Sequence, residues 1–357
     1  MHRDYISSLI LCNICKQDPS KQKIRIMKKT LLAFLISSFV ITASYSQINI
    51  DTAAVIKNNR QLYSIVVSQN DKIVYNKYFN DKSNHDLFNN QSLTKSVISL
   101  LIGIAIDKGY IVSVDEKIVK YFPELAQDTD KRKQDITIRQ IMNQASGLWH
   151  EDLINLGKYF ALADPSCYLL KAPLVSEPCK VFHYNNAGTH ILSVILTKST
   201  HMSTLEFANK YLFGPLAIKN VEWGKMRDGY YDGCGLLSVH LSTADMNRIA
   251  SLLLHKGRFN SKSIVSEKWI AQILNPPVFY TTDWGFQTST YALCFYHYNY
   301  KGTPITYGLG WGGQYAFVIP AKNAVINVNE SINDATAIKA SIILLDKIFP
   351  LIYQQLK

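Results

Sequence analysis

Residues 89–110 read NNQSLTKSVISLLIGIAIDKGY. From Val97 to Ile106 the run is apolar nearly all the way round, which predicts a buried helix. Gly109 supplies its stop. The opening of this helix decides the reading, because Ser92 and, three residues on, Lys95 enter a segment otherwise too dry for a charge. A lysine facing a core is costly unless it is paired or used. Residues three apart share one helix face, so Lys95 can reach the Ser92 hydroxyl. At a helix start the backbone N–H groups point outward and favour nearby negative charge. Burial alone favours the neutral amine, moving Lys95 down from about 10.4 and turning it into a base for the hydroxyl. The spacing by itself is cheap: Ser20 and Lys23 repeat it, and most such pairs are an N-cap serine followed by a solvated lysine. The apolar helix behind Ser92 is what sets this pair apart.

The chain has 357 residues, 47% hydrophobic and 18% charged, a globular composition long enough for a large core. MKKTLLAFLISSFVITASYSQ begins at Met27, with Lys28 and Lys29 ahead of an apolar run over 31–43 and small residues at Ser44 and Ser46. This pattern is that of a secretory signal peptide cleaved after Ser46, with residues 1–26 an extension that is not native. The run is too short to span a bilayer comfortably, so no stable membrane span is expected once the leader is gone. The expected location is the periplasm or the medium. Residues 1–46 carry +5 of the formal +11, and the rest is spread without clusters, which excludes a nucleic-acid groove.

Four cysteines follow the leader: Cys167, Cys179, Cys234 and Cys294. Export allows Cys167 and Cys179 to form a bridge, and free thiols are the alternative. No spacing fits a zinc site or a metalloprotease helix, so neither a metal nor an organic cofactor is expected.

LYSIVVSQNDKIVYNKYF (62–79) alternates and turns at Gln69-Asn70-Asp71, as a β-hairpin does. Helical patterns dominate 113–275: ITIRQIMNQASGL (136–148), THILSVILTKST (189–200), TLEFANKYLF (204–213), STADMNRIASLLLHKG (242–257) and SEKWIAQIL (266–274). Strand chemistry returns over 290–329, and DATAIKASIILLDKIF (334–349) closes the chain as an amphipathic helix. The expected fold is α/β of the α+β kind. The hairpin pairs with the late strands in one antiparallel sheet, the first and last long helices flank it, and the middle forms a mainly helical lobe. Within residues 47–357 this puts a sheet lobe at about 55–110 and 285–357 and a helical lobe at about 111–284. A cleft between lobes is the default site.

Two further segments carry chemistry. VFHYNNAGTH (181–190) offers Tyr184 and Asn186 ahead of a helix. A tyrosine near a lysine can relay a proton, and an amide can hold a substrate carbonyl. YGLGWGGQYAFVIP (307–320) places glycines directly before an apolar strand, where a substrate could approach a strand edge. Backbone N–H groups there would complete an oxyanion hole with that of Ser92, each such donor being worth about 10²–10³ in rate. The bland alternative is a β-turn with a bulge. His150 and His183 fall near these segments and read as structural.

Taken together, these segments resemble the serine β-lactamase and penicillin-binding protein superfamily, in its class C-like branch, from about residue 60 to the C-terminus. KSVISLLIGIAIDKGYI, KYFPEL, LVSEPCKVFHYNNAG and GCGLLSVHLSTADMNRIASLLL add to that likeness. The resemblance implies a β-lactamase/transpeptidase-like fold. It also implies Ser92 as nucleophile, Lys95 as its partner, Tyr184 as general acid/base and Asn186 as substrate-binding amide. The superfamily's Lys-Thr-Gly element falls on Trp311, Gly312 and Gly313, with Gln314 as second oxyanion donor. The missing cation removes a holder for a substrate carboxylate, and Cys179 stands where relatives often carry glycine. The implied function is a secreted serine hydrolase acting on an ester or amide, or on cell-wall peptide, through a Ser92 acyl-enzyme. The implied alternatives are a D-alanyl-D-alanine carboxypeptidase or class C-type β-lactamase and, in another class, an inactive binding module. Gly-x-Ser-x-Gly is absent, which disfavours a nucleophile-elbow triad.

Overall fold

The computed structural model describes residues 48–357, apart from 52–54, 56, 58, 153–154 and 334. The proposed leader lies outside the described residues.

The hairpin forms as the alternation predicts. β1 (Leu62–Gln69) turns into β2 (Lys72–Tyr78) through Asn70 and Asp71, both at positive φ, the conformation a two-residue hairpin loop needs. The late strands are β3 (Tyr280–Thr281), β4 (Thr290–Ala292), β5 (Phe295–Tyr300), β6 (Thr303–Gly310), β7 (Gln314–Ile319) and β8 (Ala324–Glu330). All eight make one antiparallel sheet in the order β2-β1-β8-β7-β6-β5-β4-β3. The first strand pairs with the last, Val66 facing Asn327 and Ser68 facing Val325, so the sheet is assembled from both ends of the described chain.

Both faces of this sheet are covered. Every residue of β7 and β8 is buried, which explains why QYAFVI and AVINVNE show no polar alternation. Tyr315, Phe317 and Ile319 face one core, with Leu344, Ile348, Phe349 and Ile352 of the C-terminal helical segment. Ala316 and Val318 face the other, with the helices of the middle of the chain. The long helices are α1 (Thr94–Asp107), α2 (Asn186–Thr200) and α3 (Thr243–Leu254). The expectation that the first and last long helices flank the sheet needs an addition. Met246, Ile249 and Leu253 of α3 share the sheet-side core with Ala316 and Val318, so a helix assigned to the middle lobe covers the sheet directly.

α1 is buried from Thr94 to Ala105, as its apolar run predicts. Its one interior glycine has a packing reason: a Cβ on Gly103 would lie 2.2 Å from the Trp269 ring, whose Nε1 donates to the Ser99 carbonyl at 3.1 Å. Gly109, at φ +76°, ends the segment.

Candidate active site

Ser92 stands in a 3₁₀ turn, Gln91–Leu93, that feeds directly into α1. Early in that turn its N–H has no acceptor within the helix. Gln91 just before it holds φ +49°, a left-handed conformation that is unusual for a non-glycine residue. A small sheet anchors this turn. Phe88–Asn89 pairs with Val239–Leu241, Asn90 Nδ2 donates to the carbonyls of Phe88 and Val239, each at 3.1 Å, and the Val239 N–H donates to Thr94 Oγ1 at 3.2 Å.

Lys95 does reach the serine: its Nζ donates to Ser92 Oγ at 2.9 Å and to Asn186 Oδ1 at 2.7 Å, and it also donates to the Cys234 carbonyl. The Lys95 Nζ lies 4.9 Å from the centroid of the Tyr184 ring. The four residues of the two sequence motifs are thus brought together. Burial pushes Lys95 down, but Tyr184 first, then Cys234 and Asp232, outweigh it, and the net direction is up. Sequence periodicity shows that a residue is buried, not which oxygens surround it.

The loop that supplies the Cys234 carbonyl was not singled out as part of the site. Asp232 is fully buried and accepts from the N–H groups of Cys234 (2.7 Å), Gly235 (3.1 Å) and Leu237 (2.6 Å). That nest of main-chain donors turns the Cys234 carbonyl toward Lys95 and to within 3.4 Å of Ser92 Oγ. Gly235 is required where it stands: its φ is +117°, and a Cβ would lie 2.6 Å from Ser92 N. Behind the loop, the Gly233 N–H donates to His190 Nδ1 at 3.4 Å, so the other ring nitrogen carries the proton it gives Asp228 Oδ2 at 2.9 Å. An aspartate among glycines, DGCG, was the available signal for such a turn.

Tyr184 and Asn186 flank the start of α2. Asn185 caps that helix, its side chain accepting from the Gly188 N–H, and Glu151 accepts from the N–H groups of Asn186 (2.8 Å) and Ala187 (3.1 Å). Glu151 thus places a buried carboxylate where the helix dipole favours it. His150 and His183 stack with centroids 4.6 Å apart, away from the cavity lining. Burial and then His150 hold His183 below its usual range. Cys167 and Cys179 are free thiols. Cys179 holds φ +67°, which is the physical reason a glycine would suit the position.

The glycine-rich segment behaves differently from its reading. β6 lies inside the sheet, between β5 and β7, and offers no open edge. What approaches its glycines is the serine-bearing turn: a Cβ on Gly308 would lie 2.2 Å from Leu93 Cδ1, and one on Gly310 2.3 Å from the Asn90 carbonyl oxygen. Gly312 and Gly313, both at positive φ, form the turn into β7. Gln314 directs its side chain into the sheet, Nε2 donating to the Glu330 carbonyl at 2.8 Å and Oε1 accepting from Asn329 Nδ2 at 2.9 Å. Of Trp311, Gly312, Gly313 and Gln314, it is Trp311 that lines the cavity.

That cavity measures about 470 Å³ and opens onto Ser92, Tyr184 and Asn186. Its walls are Leu156, Phe160, Leu236, Trp284, Leu309 and Trp311, joined by Tyr296 and Ile332. The Trp284 ring lies 6.1 Å from both the Tyr184 and the Trp311 rings. No Asp, Glu, Lys, Arg or His is among the lining residues that are described.

A family model described as Beta-lactamase matches residues 52–337. The chain belongs to the beta-lactamase family. Beta-lactamase-like protein 4 of Dictyostelium discoideum is 28% identical over 174 residues, 42% of this chain and 31% of that protein. The chain spans less than a third of the length of the curated relatives it matches. Among solved structures, a Bacillus anthracis protein named as a 6-aminohexanoate-dimer hydrolase superposes with a TM-score of 0.70 at 18% identity, covering 86% of this chain and 82% of that one. A class C beta lactamase from Rhodobacter sphaeroides gives 0.62 at 15% identity, covering 85% and 98%. The mixed fold with its large antiparallel sheet is therefore the beta-lactamase fold, which proteins named as hydrolases share.

Proposed function

We propose that this beta-lactamase family member is an exported serine hydrolase that cleaves esters or amides of uncharged, largely apolar groups through an acyl-enzyme on Ser92. The observation that carries this reading is the meeting of Ser92 Oγ, Lys95 Nζ and the Tyr184 ring at the end of a cavity with no charged lining residue among the described ones. Ser92 Oγ attacks the carbonyl carbon. The serine proton passes to Lys95 or Tyr184, whichever holds the free base, and from there to the departing alcohol or amine. Lys95 also orients the hydroxyl through its hydrogen bond to Ser92 Oγ. Asn186 gives its amide oxygen to Lys95, leaving its NH₂ for the substrate. The oxyanion rests on the Ser92 N–H, with a main-chain N–H of the 311–314 segment as the second donor. Water then repeats the attack on the acyl-enzyme. Export rests on residues 27–46 and would show as a mature N-terminus at Gln47.

The uncharged lining favours an esterase-like substrate over a carboxylate-bearing β-lactam or D-Ala peptide. Intact-mass analysis after exposure to a fluorophosphonate, and separately to a penicillin, tests this. The expected result is an adduct with the first only, lost in a folded Ser92→Ala variant. Stable adducts with both would favour the penicillin-binding reading. No adduct with either, and no turnover of p-nitrophenyl esters, would leave a binding module.

A further inference from the structure

The five tryptophans of the chain divide by the company they keep. Trp223 and Trp269 are buried, and each indole N–H donates to a main-chain carbonyl, that of Asp232 at 2.7 Å and that of Ser99 at 3.1 Å. Trp149 packs edge-on to Tyr168 with centroids 5.1 Å apart. Trp284 and Trp311 are only half-buried, and both line the cavity that holds Ser92. Their rings meet at 73° with centroids 6.1 Å apart, and Trp284 lies equally close to the Tyr184 ring, at 46°. Two rings set near a right angle form a corner. A third ring placed there can stack on one and meet the other edge-on, and both arrangements are favourable. An aliphatic group gains no such contact.

The loop that carries Trp284 is held at several points. The Thr282 N–H donates to the Ser289 carbonyl at 3.0 Å, closing its base, and the Trp284 N–H donates to Thr282 Oγ1 at 3.2 Å. Gly285 takes φ +82°, and a Cβ there would lie 2.1 Å from Tyr307 Oη. That hydroxyl accepts from the Phe286 N–H at 3.1 Å and shares a hydrogen bond of 2.7 Å with Ser289 Oγ. The Phe286 ring is buried, stacked on Tyr298 at 4.6 Å and edge-on to Phe349 at 5.3 Å. Trp284 is thus followed, two residues on, by an anchor in the core beneath the sheet, while its own ring stays half-open at the cavity. A ring fixed before binding loses little freedom when a substrate arrives.

We propose that Trp284 is a specificity residue and that, with Trp311, it receives an aromatic ring carried by the substrate. This rests on the hydrolase reading. The substrate class it names is an uncharged ester or amide with an aryl group close to the scissile bond, on the acyl or the leaving side. The cavity, at about 470 Å³, has room for such a ring and a short chain. Aromatic faces also attract cations, but this chain carries a net positive charge, which repels them.

The test pairs esters that differ in ring character alone: methyl phenylacetate against methyl cyclohexylacetate for the acyl side, and benzyl acetate against cyclohexylmethyl acetate for the leaving side. Hydrolysis is followed by pH-stat, and each phenyl-to-cyclohexyl ratio is divided by that for hydroxide. Cyclohexyl is the more hydrophobic member and similar in size, so an apolar wall alone would favour it or choose neither. The unaltered enzyme is expected to prefer phenyl by about threefold or more in kcat/KM in at least one pair, as aromatic contacts allow. Trp284→Leu should bring that ratio to about one or below, and Trp284→Phe should keep most of it. A ratio under about threefold in both pairs overturns the proposal. So does a preference that Trp284→Leu leaves unchanged, since another wall then reads the ring. An equal fall for every ester in both variants, with a lowered melting temperature, also overturns it, since the indole then serves the fold. If no ester is cut and Ser92 takes no fluorophosphonate, the hydrolase reading is what has failed. The ratio is then read from dissociation constants of the uncut esters, and the same line of about threefold decides it.

Discussion

Lys95, at the start of α1, and Lys133, in the 3₁₀ turn Lys131–Asp135, are each 2% exposed, yet they keep different company. Lys133 Nζ donates to Asp128 Oδ2 at 2.7 Å and to the Leu170 carbonyl at 3.0 Å. Its charge is matched by a carboxylate, which Lys133 in turn holds below the usual range. Lys95 meets a hydroxyl, an amide oxygen and a main-chain carbonyl, with no carboxylate in its hydrogen-bond set. A buried charge matched by its opposite is a structural device. One ringed by neutral acceptors, beside a hydroxyl and a phenol, is available to chemistry. Glu330 shows a third solution: 2% exposed, it is pushed up to about 8 by burial, against the Asn59 hydrogen bond that lowers it, and so keeps its proton at neutral pH. That uncharged side chain sits under the Gly313 turn, where a Cβ would lie 2.2 Å from its Oε2.

The largest expected effect falls on Lys95. Lys95→Met should lower kcat/KM for p-nitrophenyl esters by about 10⁴-fold or more, with the melting temperature held or raised. Retained activity would dissolve the distinction from Lys133. Next comes Lys133→Met, which leaves Asp128 without its partner and should cost about 3 kcal/mol by urea denaturation. Activity per folded molecule should stay within about twofold, and a large loss there would mean that this lysine serves the site as well. The smallest effect is on Glu330. Its folded value is raised, so its contribution to stability is full below about 4.5 and is lost as pH rises to about 8. Glu330→Gln removes that dependence. Its stability advantage over the unaltered protein should be larger at pH 6.5 than at pH 5, by roughly 2 kcal/mol in denaturant melts. An advantage that is flat with pH would show that Glu330 is already ionised.

Much of the site was legible because its spacing is local. Ser92 and Lys95 lie one turn apart on a helix whose apolar run can be read directly, and Tyr184 and Asn186 sit at a helix start. The hairpin declared itself through Asn70 and Asp71, and the pairing of β1 with β8 followed from strands lying at both ends of the chain. Other features depended on contacts across the sequence. Asp232 and Cys234 join the site through two-residue strands too short to leave a pattern. Gly308 and Gly310, read as making room for a substrate, make room for the nucleophile's own turn. Tyr296 was indistinguishable from the other tyrosines of YALCFYHYNY until the fold set it on the cavity wall.

The order of residues by itself determined that α1 is buried, that a serine just before it lies one turn from a lysine at its start, and that the strands gather from both ends. These are properties of periodicity, spacing and turn chemistry within a few residues. Tertiary structure alone decided which groups surround Lys95, the part of the glycine segment that touches the site, and, among the described residues, the uncharged lining of the cavity. The reason is physical: protonation, clearance and polarity at a point depend on every group within a few ångströms. In this protein those groups come from segments more than a hundred residues apart, such as Ser92 and Cys234.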